Sequence, residues 1–375
     1  MKLSTAGESH GKALTGIIEG LPSNLKIDID EINRYLALRQ SGYGRGGRQK
    51  IERDKAEIIS GVRNLYTLGS PLAFAVINSD YENWREYMAP EGCDVSKKRL
   101  TAVRPGHADL TGMLKFGHAD ARNVLERASA RETAARVVAG SIARQYLRAL
   151  GIGVSGYVKS VCGIADGNEY PFDKLDEAKA QPLFMLDNEI QSEAIKRIDE
   201  LKAGGDTAGG VAEIRVKGLK SGFGSCMRYS DKLDAILCFA LMSVQAVKGV
   251  EVGLGFEAAR REGSRVHDEI FYENGKYFRK TNNAGGIEGG MSNGGEIVLK
   301  AALKPIPTLM KGLNTVDSET KLKVTAAAER SDVIAICAAE IILESVTAFA
   351  LADVISKRLG GDNMDEVIKR YNDLP

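Results

Sequence analysis

Two of the four histidines lie in short glycine-flanked segments, Gly7-Glu8-Ser9-His10-Gly11 and Arg104-Pro105-Gly106-His107-Ala108-Asp109. Glycine admits positive φ and close backbone approach to a ligand; proline at 105 presets a turn and pushes Arg104 toward an extended conformation. A histidine on such a turn is presented rather than packed. Imidazole is also the side chain whose unperturbed pKa lies near neutrality, so both positions suit proton transfer. Arg39, Arg45 and Arg48 ride on a glycine-dense basic segment over 39–48. Guanidinium is permanently charged and grips phosphate or carboxylate through two parallel hydrogen bonds. By composition alone that segment fits a solvated loop or a nucleic-acid tail as well as an anion pocket. Recurrence of the same chemistry elsewhere favours the pocket.

Arg127-Ala128-Ser129-Ala130-Arg131 lies where a helix is predicted to begin, and free N–H groups at a helix start attract anions. Taken alone, an ordinary capped helix with surface arginines explains it better. The stretch 282–295 holds six glycines in fourteen residues and lacks both phosphate-loop and dinucleotide spacings. It either wraps N–H groups around phosphate or packs flat against a planar ring. It leads through a strand into Lys304-Pro305-Ile306-Pro307-Thr308, where two prolines stiffen the backbone beside Lys304 and Thr308. Arg330-Ser331-Asp332 is placed at the start of the last long helix, where Asp332 reads locally as an N-cap. His118 carries less context, and His267, in a charged run, is expected to face solvent.

The elements that must position these groups follow from periodicity. Strands are predicted over 14–19, 56–61, 72–78, 152–161, 211–217 and 296–303, with a type I′ hairpin at 271–278 around Asn274-Gly275. Helices are predicted from Asp30, over 122–150 with a start at Ser129 from its S-x-x-E capping box, over 186–203, over 232–249, and over 331–359. The order is mixed rather than strictly alternating, which favours an α+β fold over a doubly wound parallel sheet.

A chain of 375 residues with 43% hydrophobic and 27% charged content can bury a large core, as one domain over 1–375 or as two similar, closely packed halves. Fifty-one basic against fifty acidic residues give a net charge of +1, a poor footprint for a nucleic-acid binder. Five widely spaced cysteines without a CxxC pair argue against a disulfide framework or thiolate zinc site and fit a reducing compartment. The N-terminus lacks the apolar core of a signal peptide, and the most apolar run, Ala235 to Met242, is far short of a bilayer span. A cytoplasmic protein is the expectation.

In order along the chain, GESHG at 7–11, Arg39 and Arg45, RPGHAD at 104–109, ERASARETA at 126–134, NNAGGIEGG at 282–290, KPIPT at 304–308 and RSD at 330–332 resemble the chorismate synthase family over essentially the whole length. Each piece is modestly specific; their order and spacing together are very specific. One departure is Ala128, where many members carry a second serine.

The resemblance implies a lyase that converts 5-enolpyruvylshikimate 3-phosphate to chorismate by anti-1,4 elimination of phosphate, in the shikimate pathway of aromatic amino-acid biosynthesis. It implies a flavoprotein needing reduced FMN without net redox change, with FAD and NADP among the nucleotides associated with the family. By similarity, His10 protonates the leaving phosphate, His107 stabilises or protonates the reduced flavin, and Asp332 helps relay the ring proton. Arg39, Arg45, Arg48, Arg131, Arg330 and Ser9 would bind substrate. Cofactor contacts would come from Arg39, Arg45, Arg127, Ala128, Ser129, Gln245, Ala246, Gly289, Lys304, Pro305, Ile306, Pro307, Thr308 and Arg330. The implied fold is a layered β-α-β sandwich with helices between antiparallel sheets, assembled as a homotetramer. NADPH as the chain's own reductant and an external flavin reductase are both open, and the lack of a visible reductase segment favours the latter. Two other classes compete: a metal-dependent hydrolase using His107, Asp109, His118 and Asp120, and an RNA-binding module using the Arg/Gly segment.

Overall fold

Alternating apolar positions build two antiparallel sheets. In the strand Ala13–Glu19, Leu14, Gly16 and Ile18 point inward while Ile17 and Glu19 are exposed. This strand lies between Lys2–Ala6 and Leu72–Ile77, and Ala56–Ser60 completes the first sheet. Gly16 is required there, because a Cβ would sit 2.2 Å from the Phe74 ring. The second sheet runs Val247–Val252, Ile297–Leu303, Gly210–Lys217, Gly153–Val161 and Ile164–Ala165, with Ile297, Leu299, Ala301 and Leu303 buried in alternation. This computed structural model describes residues 1–45, 53–326 and 332–375.

The helices are α1 (Ile29–Arg39), α2 (Tyr81–Met88), α3 (Asp109–Phe116), α4 (Arg122–Ala128), α5 (Thr133–Ala149), α6 (Asn188–Ala203), α7 (Leu233–Met242), α8 (Ile336–Leu359) and α9 (Met364–Asn372). α5 packs along α8 and against strands of the first sheet, while α8 packs against Gly153–Val161 and Gly210–Lys217 of the second. Both helices are buried over most of their surface, being covered on more than one side. Each fully buried Leu or Ile here contributes about 1.5–3 kcal/mol. The two helices cross at Gly140, where a Cβ would lie 2.3 Å from that of Ser345.

The mixed composition of helices and antiparallel sheets agrees with the α+β expectation. The hairpin pairs Ile270–Glu273 with Lys276–Arg279, and Asn274 and Gly275 take φ of 52° and 79°, as a type I′ turn demands. Three expectations are corrected. The helix predicted from Ser129 is broken: α4 ends at Ala128, Ser129 is extended, Ala130–Glu132 forms a 3-10 turn, and α5 begins at Thr133. Ser129 Oγ does accept from the Arg131 amide (3.3 Å), but Glu132 turns to Arg136 and Thr5 instead of closing a capping box. The helix predicted over 232–249 stops at Met242, since Val247, Val250 and Val252 enter the ladder with Ile297–Leu303. α8 begins at Ile336 with Ala335 in the cap position, so Asp332 is not its N-cap. The strand Lys2–Ala6 and α9 were not anticipated, although Asn363 caps α9 by accepting from the Glu366 amide (3.0 Å) and Met364, Val367 and Tyr371 share its buried face. Arg48, Arg330 and Ser331 lie outside the described residues.

Candidate active site

The GESHG loop is tied down by its neighbours rather than by its own sequence. The Ser9 amide donates to the Glu126 carbonyl (2.9 Å), the His10 amide to Glu126 Oε2 (2.9 Å), and Asn78 Nδ2 to the Gly11 carbonyl (2.5 Å). His10 Nδ1 lies 2.9 and 3.0 Å from the two Glu126 oxygens, and Arg122 donates to the same carboxylate at 3.0 Å. Burial would raise the pKa of Glu126, but His10 and Arg122 together hold it below the ordinary value. Ser9 Oγ and Ser129 Oγ meet at 3.2 Å, joining this loop to the break between α4 and α5.

From that break Arg131 reaches inward. Its guanidinium donates to Asn78 Oδ1 (3.0 and 2.8 Å) and to Asp54. Arg39, at the end of α1, donates to Thr133 Oγ1 (3.0 Å) and the Ala130 carbonyl (2.9 Å) and lies 3.7 Å from the same Asp54. Arg45 continues the series, donating to the Arg39 carbonyl (3.4 Å) and pairing with Asp332 at 3.0 Å. Arg39, Arg131 and Asp54 are all buried, so their charges meet in a region of reduced solvent screening.

The second histidine loop is built on an Arg104–His107 turn with the Pro-Gly signature of type II: His107 N donates to the Arg104 carbonyl (3.3 Å) and Gly106 has φ of 76°. Asp109 organises it from the head of α3. It accepts a two-pronged pair from Arg104 (2.8 and 3.0 Å), the Arg104 amide (3.1 Å) and His107 Nδ1 (2.5 Å). Burial raises the Asp109 pKa, yet His107 and Arg104 overcome it and drive the carboxyl well below its ordinary range. An ionised carboxylate only accepts, so Nδ1 of both histidines carries hydrogen.

A chain of contacts joins the two loops. Glu132 accepts from Thr5 (3.1 Å), Arg136 (3.0 Å) and Gln245 (3.3 Å); the Ala246 carbonyl accepts from Lys304 N (2.9 Å); Lys304 Nζ donates to the Gly106 carbonyl beside His107. Pro307 packs toward Gly106, Thr207 Oγ1 donates to the Ile306 carbonyl (2.8 Å), Thr308 is buried and Pro305 is exposed. Arg127, just before Ala128, donates to the carbonyls of Thr5 and Gly7 (3.1 and 3.2 Å). Gly289 is the exception. It turns between Ile287–Glu288 and Met291–Ser292 at the N-terminal end of α7, where Leu233 N meets the Gly290 carbonyl. A helix of that length spans about 15 Å, so Gly289 sits far from Gln245 within this chain. The neighbouring glycines pack on the chain's own backbone, Gly285 against Gly253 and Gly286 against Glu296.

Sequence reasoning passed over Glu126, Asp54, Asn78, Trp84, Arg122 and Glu132. The lone tryptophan and the carboxylate opening the ERASARETA segment were the available signals. The hydrolase reading gains no support: Asp109 is committed to Arg104 and His107, Asp120 caps the amides of Leu100 and Arg122 (3.0 and 2.8 Å), and no trio of His, Cys, Asp or Glu able to hold a metal occurs among the described residues. Nor does the basic segment present Arg39 and Arg45 outward for RNA, since one is buried and the other is paired with Asp332. A separate concavity of about 770 Å³ over the second sheet, near Arg215 and Glu296, is lined in part by Asn282, Asn283 and Asn293 to Gly295 of the glycine stretch and contains neither histidine loop nor Arg39, Arg45 or Arg131.

The family model described as chorismate synthase matches residues 1–356. A chorismate synthase of Alkaliphilus metalliredigens is 53% identical over 372 residues, covering 99% of this chain and 98% of its own. One of Geobacter sulfurreducens is 50% identical over 382 residues, covering 99% and 97%. A crystal structure of a chorismate synthase superposes with a TM-score of 0.80 at 39% identity, covering 99% of this chain and 96% of that one. No helix among the described residues is long and apolar enough to cross a membrane. The chain belongs to the chorismate synthase family and is a carbon–oxygen lyase of the shikimate pathway acting on a small-molecule substrate.

Proposed function

We propose that the chain converts 5-enolpyruvylshikimate 3-phosphate to chorismate and phosphate by anti-1,4 elimination with reduced FMN. The observation that carries this reading is that two carboxylate-held imidazoles and a buried arginine group are linked by a relay of hydrogen bonds between neighbouring residues. The residues also fit a flavin nucleotide. Gln245 Oε1 and Arg45 Nε are buried polar atoms without hydrogen-bond partners among the described residues, and Ala246 adopts a left-handed φ of 70°. Such local cost persists where a site requires it. Arg127, Ala128, Ser129, Gln245, Ala246, Lys304 to Thr308 and, outside the described residues, Arg330 would hold the flavin. Gly289 would join them only from another copy of the chain. Ser9, Arg39, Arg45, Arg131 and the undescribed Arg48 and Arg330 would bind substrate.

When bound, reduced FMN supplies electron density to the allylic phosphate system and takes it back. The protein's own part is proton handling and charge. His10 delivers a proton to the departing phosphate through Nε2, while Nδ1–H stays on Glu126. His107, fixed through Asp109, holds its Nε2 for the flavin side of the pocket. Asp332, paired with Arg45, is the carboxylate that assists removal of the ring proton. The guanidiniums of Arg39, Arg45 and Arg131 favour phosphate and carboxylate groups in a site of reduced screening.

At larger scale the reading includes one domain over 1–375, a layered β-α-β sandwich, a homotetramer and a cytoplasmic setting. Light scattering tests the assembly. Anaerobic assay with chemically reduced FMN, compared with NADPH plus FMN in air, separates an external reductase from self-reduction. In the anaerobic assay, His10→Ala and His107→Ala should each lose about a hundredfold or more in kcat. Wild-type turnover in both would refute the reading.

A further inference from the structure

His10 is held on several sides. Its Nδ1 faces both oxygens of Glu126, its amide donates to the same carboxylate, and its ring stacks on Trp84 at 3.8 Å with 26° between planes. Glu126 is only 2% exposed and also receives Arg122, whose guanidinium lies 5.2 Å from the Trp84 ring. Among the described residues, the other charged groups around the ring are Lys98, 5.0 Å from the Trp84 ring, Asp80 bound to Trp84 Nε1, and Glu8 in the same loop.

We propose that Glu126 is the positioning residue of His10: it keeps one imidazole proton on Nδ1, fixes the ring against Trp84 and leaves Nε2 to act on the leaving phosphate. The inference rests on the acid role given to His10 above. His10 enters the step as imidazolium. The Nε2 proton passes to a phosphate oxygen as the C–O bond breaks, the phosphate keeps that bond's electron pair, and His10 is left as the neutral Nδ1–H tautomer. Arg122 has its own part, since a carboxylate shared with a guanidinium attracts the imidazole proton without taking it. The same arginine–carboxylate–imidazole order recurs at Arg104, Asp109 and His107. Two unrelated stretches of chain have arrived at one solution.

Trp84 is the only tryptophan in the chain, and an imidazolium stacked on an indole quenches its emission. Emission against pH therefore follows His10 in the intact enzyme, and the titration should vanish in His10→Asn. In Glu126→Gln the midpoint should fall, and kcat should drop about 10–100-fold with KM little changed. Arg122→Gln should move the midpoint the opposite way, which keeps the test informative if Glu126→Gln does not fold. Unmoved midpoints in both variants would overturn the proposal. So would full turnover of Glu126→Gln beside an inactive His10→Asn. Full turnover of His10→Asn would instead place the failure in the acid role itself.

Discussion

Asp54 receives Arg131 and lies 3.7 Å from Arg39, all three buried. Removing a buried carboxylate that serves two guanidiniums costs about 3–5 kcal/mol in comparable pairs. Asp332 is a different case, because it caps no helix and stands ahead of α8 against Arg45. Asp332→Asn should therefore leave the melting temperature nearly unchanged, retain FMN binding and slow turnover. A large drop in melting temperature would return Asp332 to a structural role. Histidine loops and arginines were legible from residue type and glycine context alone. Their carboxylate partners were not, since Glu126 is 116 positions from His10 and Asp54 is 77 from Arg131. Nothing local marks a contact made over that distance.

At the scale of elements, close approach decides more than propensity. Gly140 sits in mid-helix, where alanine would normally be favoured by about 1 kcal/mol. Here the added methyl would meet Ser345 at 2.3 Å, and α8 is too heavily buried to move aside. Gly140→Ala should destabilise the protein by about 1–3 kcal/mol, read as a lower urea midpoint with an unchanged m value. The hairpin at 270–279 was legible because Asn-Gly fixes its own turn. The break at Ser129 was hidden, since its local sequence satisfies a capping box that tertiary partners of Glu132 then dismantle. The turn at Gln245–Ala246 was equally silent, being made by strand pairing further along the chain.

Across the whole molecule a buried charge group fastens α1, α5, α8 and the 3-10 segment Phe172–Ala180. Glu344 receives Arg144 (2.7 Å) and Lys179 (2.8 Å), Lys179 lies 3.8 Å from Glu340, and the Arg144 guanidinium covers the Tyr35 ring at 4.5 Å. Complete burial, with Glu344 beside it, raises the Glu340 pKa well above 4.5. A raised carboxyl contributes stability in full below its unfolded pKa and loses it as pH climbs through the folded value. Glu340→Gln should match the wild type within about 1 kcal/mol near pH ~5 and exceed it near pH ~9, by urea melts. Glu344→Gln should cost about 3–5 kcal/mol at both. Asp109 and Glu126 have lowered values, so their share is present at neutrality and fades below about pH 4.

Ala246 keeps a methyl group where the backbone turns left-handed, a conformation costing such a residue about 1–2 kcal/mol. A redesign seeking only heat tolerance would put glycine there and gain from the relief. The same exchange would slacken the peptide that receives Lys304 and, through it, the seat of His107. At this one turn, durability and speed are opposed, and the natural sequence has kept the less comfortable residue.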